Sequence, residues 1–234
     1  MQQVHHIFQK EFKDFFLSPI AYIVIAIFLL ITGWFFFTTF FLFNQAELRG
    51  FFSLLPITLA FVIPAVTMRL FSEELNIGSY ETLLTLPVTA LDIILGKFLA
   101  ASAFMAAMLL PTLSYPIFIS FLGDLDWGPV IGGYIGAILL GSAYCAIGLF
   151  ASSVTRNQII AFIIGLLICF CLTMIDQMLF FFPQMLVGVV NQLGAGFHFQ
   201  NISRGIVDSR DLLYFLSVIF IGLFATKLAM EEKK

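Results

Sequence analysis

Uncharged apolar runs of eighteen or more residues recur along this chain, and no other feature narrows its folding as far. Buried in hydrocarbon, a backbone must satisfy its own N–H and C=O groups, so each run reads as a transmembrane helix. Six can be drawn, at about 20–43, 51–68, 98–122, 130–151, 158–176 and 211–228. At about 1.5 Å per residue even the shortest nearly covers a hydrocarbon core of about 30 Å. A soluble bundle would need a polar face on most helices. The chain is 61% hydrophobic and only 11% charged, against about 25% charged for soluble domains. The expected fold is an all-α integral membrane protein, one transmembrane domain over 1–234.

Charge sets the expected orientation. Lys10, Lys13, Arg69, Lys97, Arg156, Lys227, Lys233 and Lys234 fall on the side of the N-terminus, and only Arg49, Arg204 and Arg210 on the other. By the positive-inside rule both termini and the 69–97 and 152–157 loops are cytoplasmic. Trp34 and Trp127 are candidate interfacial anchors, Trp127 sitting in the short outer loop GDLDWGP. The first run is longer than a signal-peptide h-region and lacks an A-x-A-like exit, so it is expected to stay as a span.

Before it, Ile7, Phe8, Phe12, Phe15 and Phe16 recur at helical spacing, with Lys10, Glu11, Lys13 and Asp14 on the other face. This predicts an amphipathic helix along the inner leaflet over 1–19, broken at Ser18–Pro19. The outer segment 177–210 is apolar but interrupted by Pro183 and by the GAG at 194–196, which predicts short re-entrant or interfacial helices. Its end carries Arg204, Asp208, Arg210 and Asp211, read as an ion-pair cluster holding the outer helices or meeting an extracytoplasmic partner.

Several chemistries find no support. No Asp, Glu, Lys or Arg falls deep in a proposed span, which argues against proton- or ion-coupled transport. His5, His6 and His198 lie outside the spans, no GxSG nucleophile is present, and no GxxxxGK[ST] loop would bind nucleotide. Cys145, Cys169 and Cys171 lie in apolar runs at a spacing that suits neither zinc nor a redox pair. No catalytic or metal site is expected, and a net charge of −3 gives no sign of nucleic-acid binding. Gly132, Gly133, Gly136, Ala137 and Gly141 form small-residue strips that permit close helix approach, as a dimer seam or within the chain. Pro56, Pro64, Pro111 and Pro116 predict bends in the second and third spans.

The segment 68–98, MRLFSEELNIGSYETLLTLPVTALDIILGKF, stands apart by its charge and its Gly and Pro. Gly78 allows a sharp turn, Ser79 can cap a short helix from about Tyr80, and Pro87 ends it. Leu83, Leu84 and Leu86 would be exposed on a solvated connector, so a docking element for a cytoplasmic partner fits better. A non-transport scaffold anchoring such a partner is the alternative from a different class.

MRLFSEELNIGSYETLLTLP followed by LGKFLA resembles the ABC-2 type transporter permeases: an Arg, an acidic pair, a Gly, an L-L-T-x-P run and a Gly-Lys. With SPIAYIVI, GGYIGAILL, ASSVTRNQIIAFI and SRGIVDSRDLLYFLSVI the chain looks like the gliding-motility-associated ABC transporter permease of Bacteroidetes-type bacteria. It is more distantly similar to permeases serving nitrous-oxide-reductase maturation. The resemblance implies a permease subunit in the bacterial inner membrane, paired with a second permease chain, in a homodimer or otherwise, and with cytoplasmic ABC ATPases that bind ATP and Mg. It also suggests an accessory membrane-anchored subunit. By the same resemblance Gly78, Ser79, Tyr80, Glu81, Thr82, Leu83 and Leu84 form the coupling helix, preceded by the acidic pair Glu73 and Glu74. The chain departs from the pattern at Asn76-Ile77, where a basic residue and Thr are common, and at Ser79, where Thr is usual.

Overall fold

The computed structural model describes residues 2–43, 47–79, 89–178, 188, 191–206 and 208–233. These residues form helices and turns and no strand. The helices are α1 (Gln2–Leu17), α2 (Pro19–Phe43), α3 (Arg49–Thr67), α4 (Arg69–Ile77), α5 (Ala90–Leu109), α6 (Ser114–Ser120), α7 (Trp127–Val154), α8 (Gln158–Met174), α9 (Ala195–Ser203) and α10 (Ser209–Glu231).

Among the described residues five segments are long and apolar enough to cross a membrane: 19–38, 49–77, 90–120, 127–154 and 209–231. The remaining expected span is α8, whose 17 residues reach about 25 Å, short of a hydrocarbon core of about 30 Å. Two segments extend past the expected spans. The second continues beyond Met68, which keeps right-handed helical geometry, directly into α4. The third begins at Ala90, where Thr89 and Asp92 form a reciprocal capping box that satisfies two otherwise free amides. A 3-10 turn, Leu110–Leu113, interrupts its α-helical ladder. Pro111 cannot donate there, and Tyr134 of α7 donates to the Thr112 carbonyl at 2.8 Å, taking up an acceptor at the turn.

The centre of the bundle is α7, which packs against α3, α4, α5, α8, α9 and α10. Its small residues make this possible. A Cβ on Gly148 would stand 2.0 Å from Thr67 Oγ1, on Gly141 2.5 Å from the Met105 side chain, and on Gly133 2.4 Å from the Phe52 ring. Gly136 faces Phe199 and Ile202, and Ala137 is buried. The small-residue strips therefore face helices of the same chain, the second of the two uses the sequence left open. Tyr144, fully buried, joins α7 to α8 through Thr173 Oγ1 at 2.6 Å. By contrast α2 and α10 turn many large apolar side chains outward, among them Leu30, Trp34, Phe41, Leu213 and Phe220, as the lipid-facing helices of a membrane bundle do.

Candidate functional site

Three elements meet at the end of the bundle that carries both termini: α1, α4 and the first turns of α5. The close approach of α1 to α5 depends on Gly96, where a Cβ would stand 2.6 Å from Ile7 Cγ2 and 3.3 Å from the Val4 carbonyl oxygen. Phe15 then stacks on Phe104, ring centroids 4.9 Å apart. The expected amphipathic helix is present, but its apolar face covers α5.

Lys97 lies at the centre of this junction. The capping box starts α5 at Ala90, so Lys97 falls two turns inside the helix, where it is 1% exposed. Its ammonium donates to Glu11 Oε1 of α1 at 3.0 Å and to Glu74 Oε1 of α4 at 2.7 Å. The same nitrogen lies 5.4 Å from the centre of the Phe71 ring. Burying a lone ammonium is costly, and partners with good geometry are what hold it there. Lys10 Nζ lies 3.5 Å from the same Glu11 Oε1 from a largely exposed position, so Lys97 is the one buried cation between the two carboxylates, and Glu74 Oε2 is buried without a hydrogen bond. Arg69, at the start of α4, adds a second tie to α1: its guanidinium lies 5.5 Å over the Phe15 ring and donates to Ser18 Oγ at 3.3 Å.

The joint between α3 and α4 is held from α7. Ser152 Oγ accepts from the amides of Phe71 at 2.8 Å and Ser72 at 3.0 Å, and donates to the Met68 carbonyl at 2.8 Å. Ser72 Oγ also donates to the Met68 carbonyl. These amides belong to the first turn of α4, so Ser152 supports the start of α4 from another helix. At the far end of α4, Gly78 adopts φ 79°, a left-handed cap in open surroundings that ends the helix. Lys233 completes this face, donating to the Ser153 and Val154 carbonyls at 2.6 and 3.1 Å and so capping α7. Burial holds its ammonium below the usual lysine range.

Of the residues read as an ATPase-coupling element, Glu73 and Glu74 are therefore helical and not in a loop. Glu73 is exposed and, with Glu74 and Ser79, lines a cavity of about 370 Å³ between α1 and α4. Ser79 Oγ donates to the Glu74 carbonyl at 3.5 Å, a contact at the limit of hydrogen-bonding distance. Tyr80, Glu81, Thr82, Leu83 and Leu84, with the helix expected on them, lie outside the described residues. The parts that sequence reasoning missed are the Lys97 clamp and the Ser152 contact. The T-x-x-D at 89–92 was the available signal for the first, because a helix begun there carries Lys97 away from its end.

At the opposite end the four charged residues of 204–211 do not come together as a cluster: among the described residues no ion pair within 4.0 Å joins either arginine to either aspartate. Asp208 caps α10 by accepting from the Arg210 amide at 3.0 Å, which holds its carboxyl below the usual range. Asp211 is buried and pairs with His198 Nδ1 at 2.6 Å, while His198 Nε2 donates to the Gln192 carbonyl at 2.9 Å. Tyr214 stacks on the imidazole, centroids 4.1 Å apart. This set docks α9 onto the start of α10.

The arrangement contains groups that hold helices together, and the described residues include no cluster of side chains that could hold a metal ion. A family model described as "ABC-2 family transporter protein" matches residues 5–222. No curated protein matches the chain. The family match begins in α1, takes in the junction at Lys97 and ends inside α10. This chain belongs to the ABC-2 family of transporter proteins and is a multi-pass permease subunit of an ABC transporter, partnered by an ABC ATPase.

Proposed function

We propose that the segment following Gly78 is the coupling helix, and that the Lys97 junction spreads the motion of the ATPase to three elements at once. The observation that carries this reading is the position of Lys97. It binds α4, which leads into the segment, to α5, which leaves it, and both to α1. A push on 78–89 then reaches two spans and the N-terminal helix together. ATP and Mg would bind in the ATPase, with no cofactor in this chain. The charge asymmetry supports cytoplasmic termini and, with Arg156 on the inner side, α8 as a further span; the resemblance to bacterial permeases supports an inner-membrane setting. The small-residue strips of α7 face inward, so the second permease chain, another copy in a homodimer, would meet a different face.

The resemblance carried by the SRGIVDSRDLLYFLSVI stretch supports an association with gliding-motility machinery; an exporter-like direction and an accessory membrane-anchored subunit follow by analogy with such permeases. The test is co-purification with the candidate ATPase from co-expressing membranes. Leu83→Ala with Leu84→Ala, or Glu81→Lys alone, is expected to lose the ATPase while the chain still inserts and stays monodisperse. Undiminished binding by the double variant would remove the docking assignment.

A further inference from the structure

We propose that the cavity at the end of the bundle remote from the termini binds the headgroup of an anionic phospholipid. The cavity measures about 310 Å³ and lies between the starts of α3 and α7 and the end of α9, the size at which ligand sites begin. Its floor is apolar, built from Leu48, Phe52 and Val130, all buried. Its rim carries two guanidinium groups, Arg49 and Arg204.

Both carboxylates on the rim are already engaged. Asp126 Oδ1 accepts from the Gly128 amide at 3.0 Å as the cap of α7. Glu47 meets Arg49 at 3.7 Å in a pair whose side chains are 55% and 84% exposed, and a pair that open to water contributes little and exchanges readily for another anion. Among the described residues no carboxylate lies within 4.0 Å of Arg204. Arg204 is nonetheless held in place. Ile202, two residues before it, is fully buried, and Gly205 after it, at φ 84°, is so close to α7 that a Cβ there would stand 3.2 Å from the Gly128 carbonyl carbon. A guanidinium on a fixed backbone suits a phosphate oxygen pair, because less freedom is lost on binding.

The bilayer is the source that fits this chemistry. Trp127, half-exposed and next to Asp126, has the amphipathic ring that settles at the headgroup level. Phe121 and Leu122, just before α7, are exposed large apolar side chains. A charged rim over an apolar floor, at that level, matches a phosphate head with a glycerol and acyl body behind it. Basic pockets between membrane helices bind such heads on the cytoplasmic side, and this cavity would be their counterpart at the opposite face.

Native mass spectrometry of the full chain in detergent tests this, with equal amounts of chain-matched phosphatidylglycerol and phosphatidylcholine supplied. Phosphatidylglycerol should be retained about tenfold over phosphatidylcholine, a difference of about 1.4 kcal/mol. Arg49→Gln with Arg204→Gln should bring the ratio to about one, with Tm and monodispersity unchanged because both side chains are exposed. Arg204→Lys, which keeps the charge without the fork, should fall between. Millimolar inorganic phosphate should leave the adduct in place. Equal retention of the two lipids by the wild type, a preference that survives the double variant, or displacement by inorganic phosphate would each overturn the assignment.

Discussion

Lys97→Met should destabilise the protein by about 3–5 kcal/mol, the cost of breaking a buried ion pair from one side. For a chain of this length that is a fall in Tm on the order of 10 °C. Methionine fills nearly the same space, so packing against Phe71 is largely kept. What it leaves is Glu11 and Glu74 facing each other with only the largely exposed Lys10, 3.5 Å from Glu11, as a cation nearby. The loss should therefore be recovered in large part by adding Glu11→Gln and Glu74→Gln, since removing all three charges avoids the stranded carboxylates. Thermal unfolding of the three proteins in one detergent reads both effects. A single Lys97→Met variant as stable as the wild type would mean that the ammonium is not the tie between α1, α4 and α5.

Gly132→Leu is the second large effect. A Cβ at this position would stand 2.3 Å from the Ile202 carbonyl oxygen and 3.2 Å from Gly205 Cα, both backbone atoms. Side chains can rotate away from an intruder, but here α9 itself must lift from α7. Overpacking costs typically about 1–3 kcal/mol and more where the neighbour cannot give, so the upper end is expected. The result should be local: hydrogen exchange over 195–206 should speed up strongly, and that over α3 and α5 should change little. Gly128→Ala is the control, because its Cβ meets only the Asp126 carboxylate at 3.3 Å. Equal exchange in both variants would contradict the close α7–α9 contact.

The helices themselves were legible, because uncharged runs and proline positions are local properties of the chain. The ends were less so. Arg69, Glu73 and Glu74 read as the start of a charged loop, yet α4 continues through them. A non-local contact supports it: Ser152, some eighty residues on, binds the Phe71 and Ser72 amides where the helix runs on past Met68. Lys97 read as a positive charge at re-entry to the membrane, and its burial depends on Glu11 and Glu74, which no spacing rule connects to it. Likewise His198 read as a polar residue at an interface. Its partner Asp211 was assigned to arginines nearer in sequence, because opposite charges close along the chain are the pairs that sequence offers first. Gly132 and Gly136 showed that something packs closely on α7, and only the structure identifies Ile202 and Phe199 as what does.

The central claim is that movement at 78–89 is carried into the spans, and a distance across the far end of the bundle tests it most directly. Ser53 on α3 and Asp124 after α6 are both exposed there. Each would be replaced by cysteine and spin-labelled, with the exposed Cys171 first changed to serine and the buried Cys145 and Cys169 left in place. Pulsed electron-spin measurements on the complex with its ATPase would compare the nucleotide-free state with the ATP-trapped one. The account predicts a shifted distance distribution on trapping, abolished by Leu83→Ala with Leu84→Ala. A distribution that stays the same while the bound ATPase turns over ATP would contradict it, and would make this chain an anchor for the ATPase in place of a moving permease.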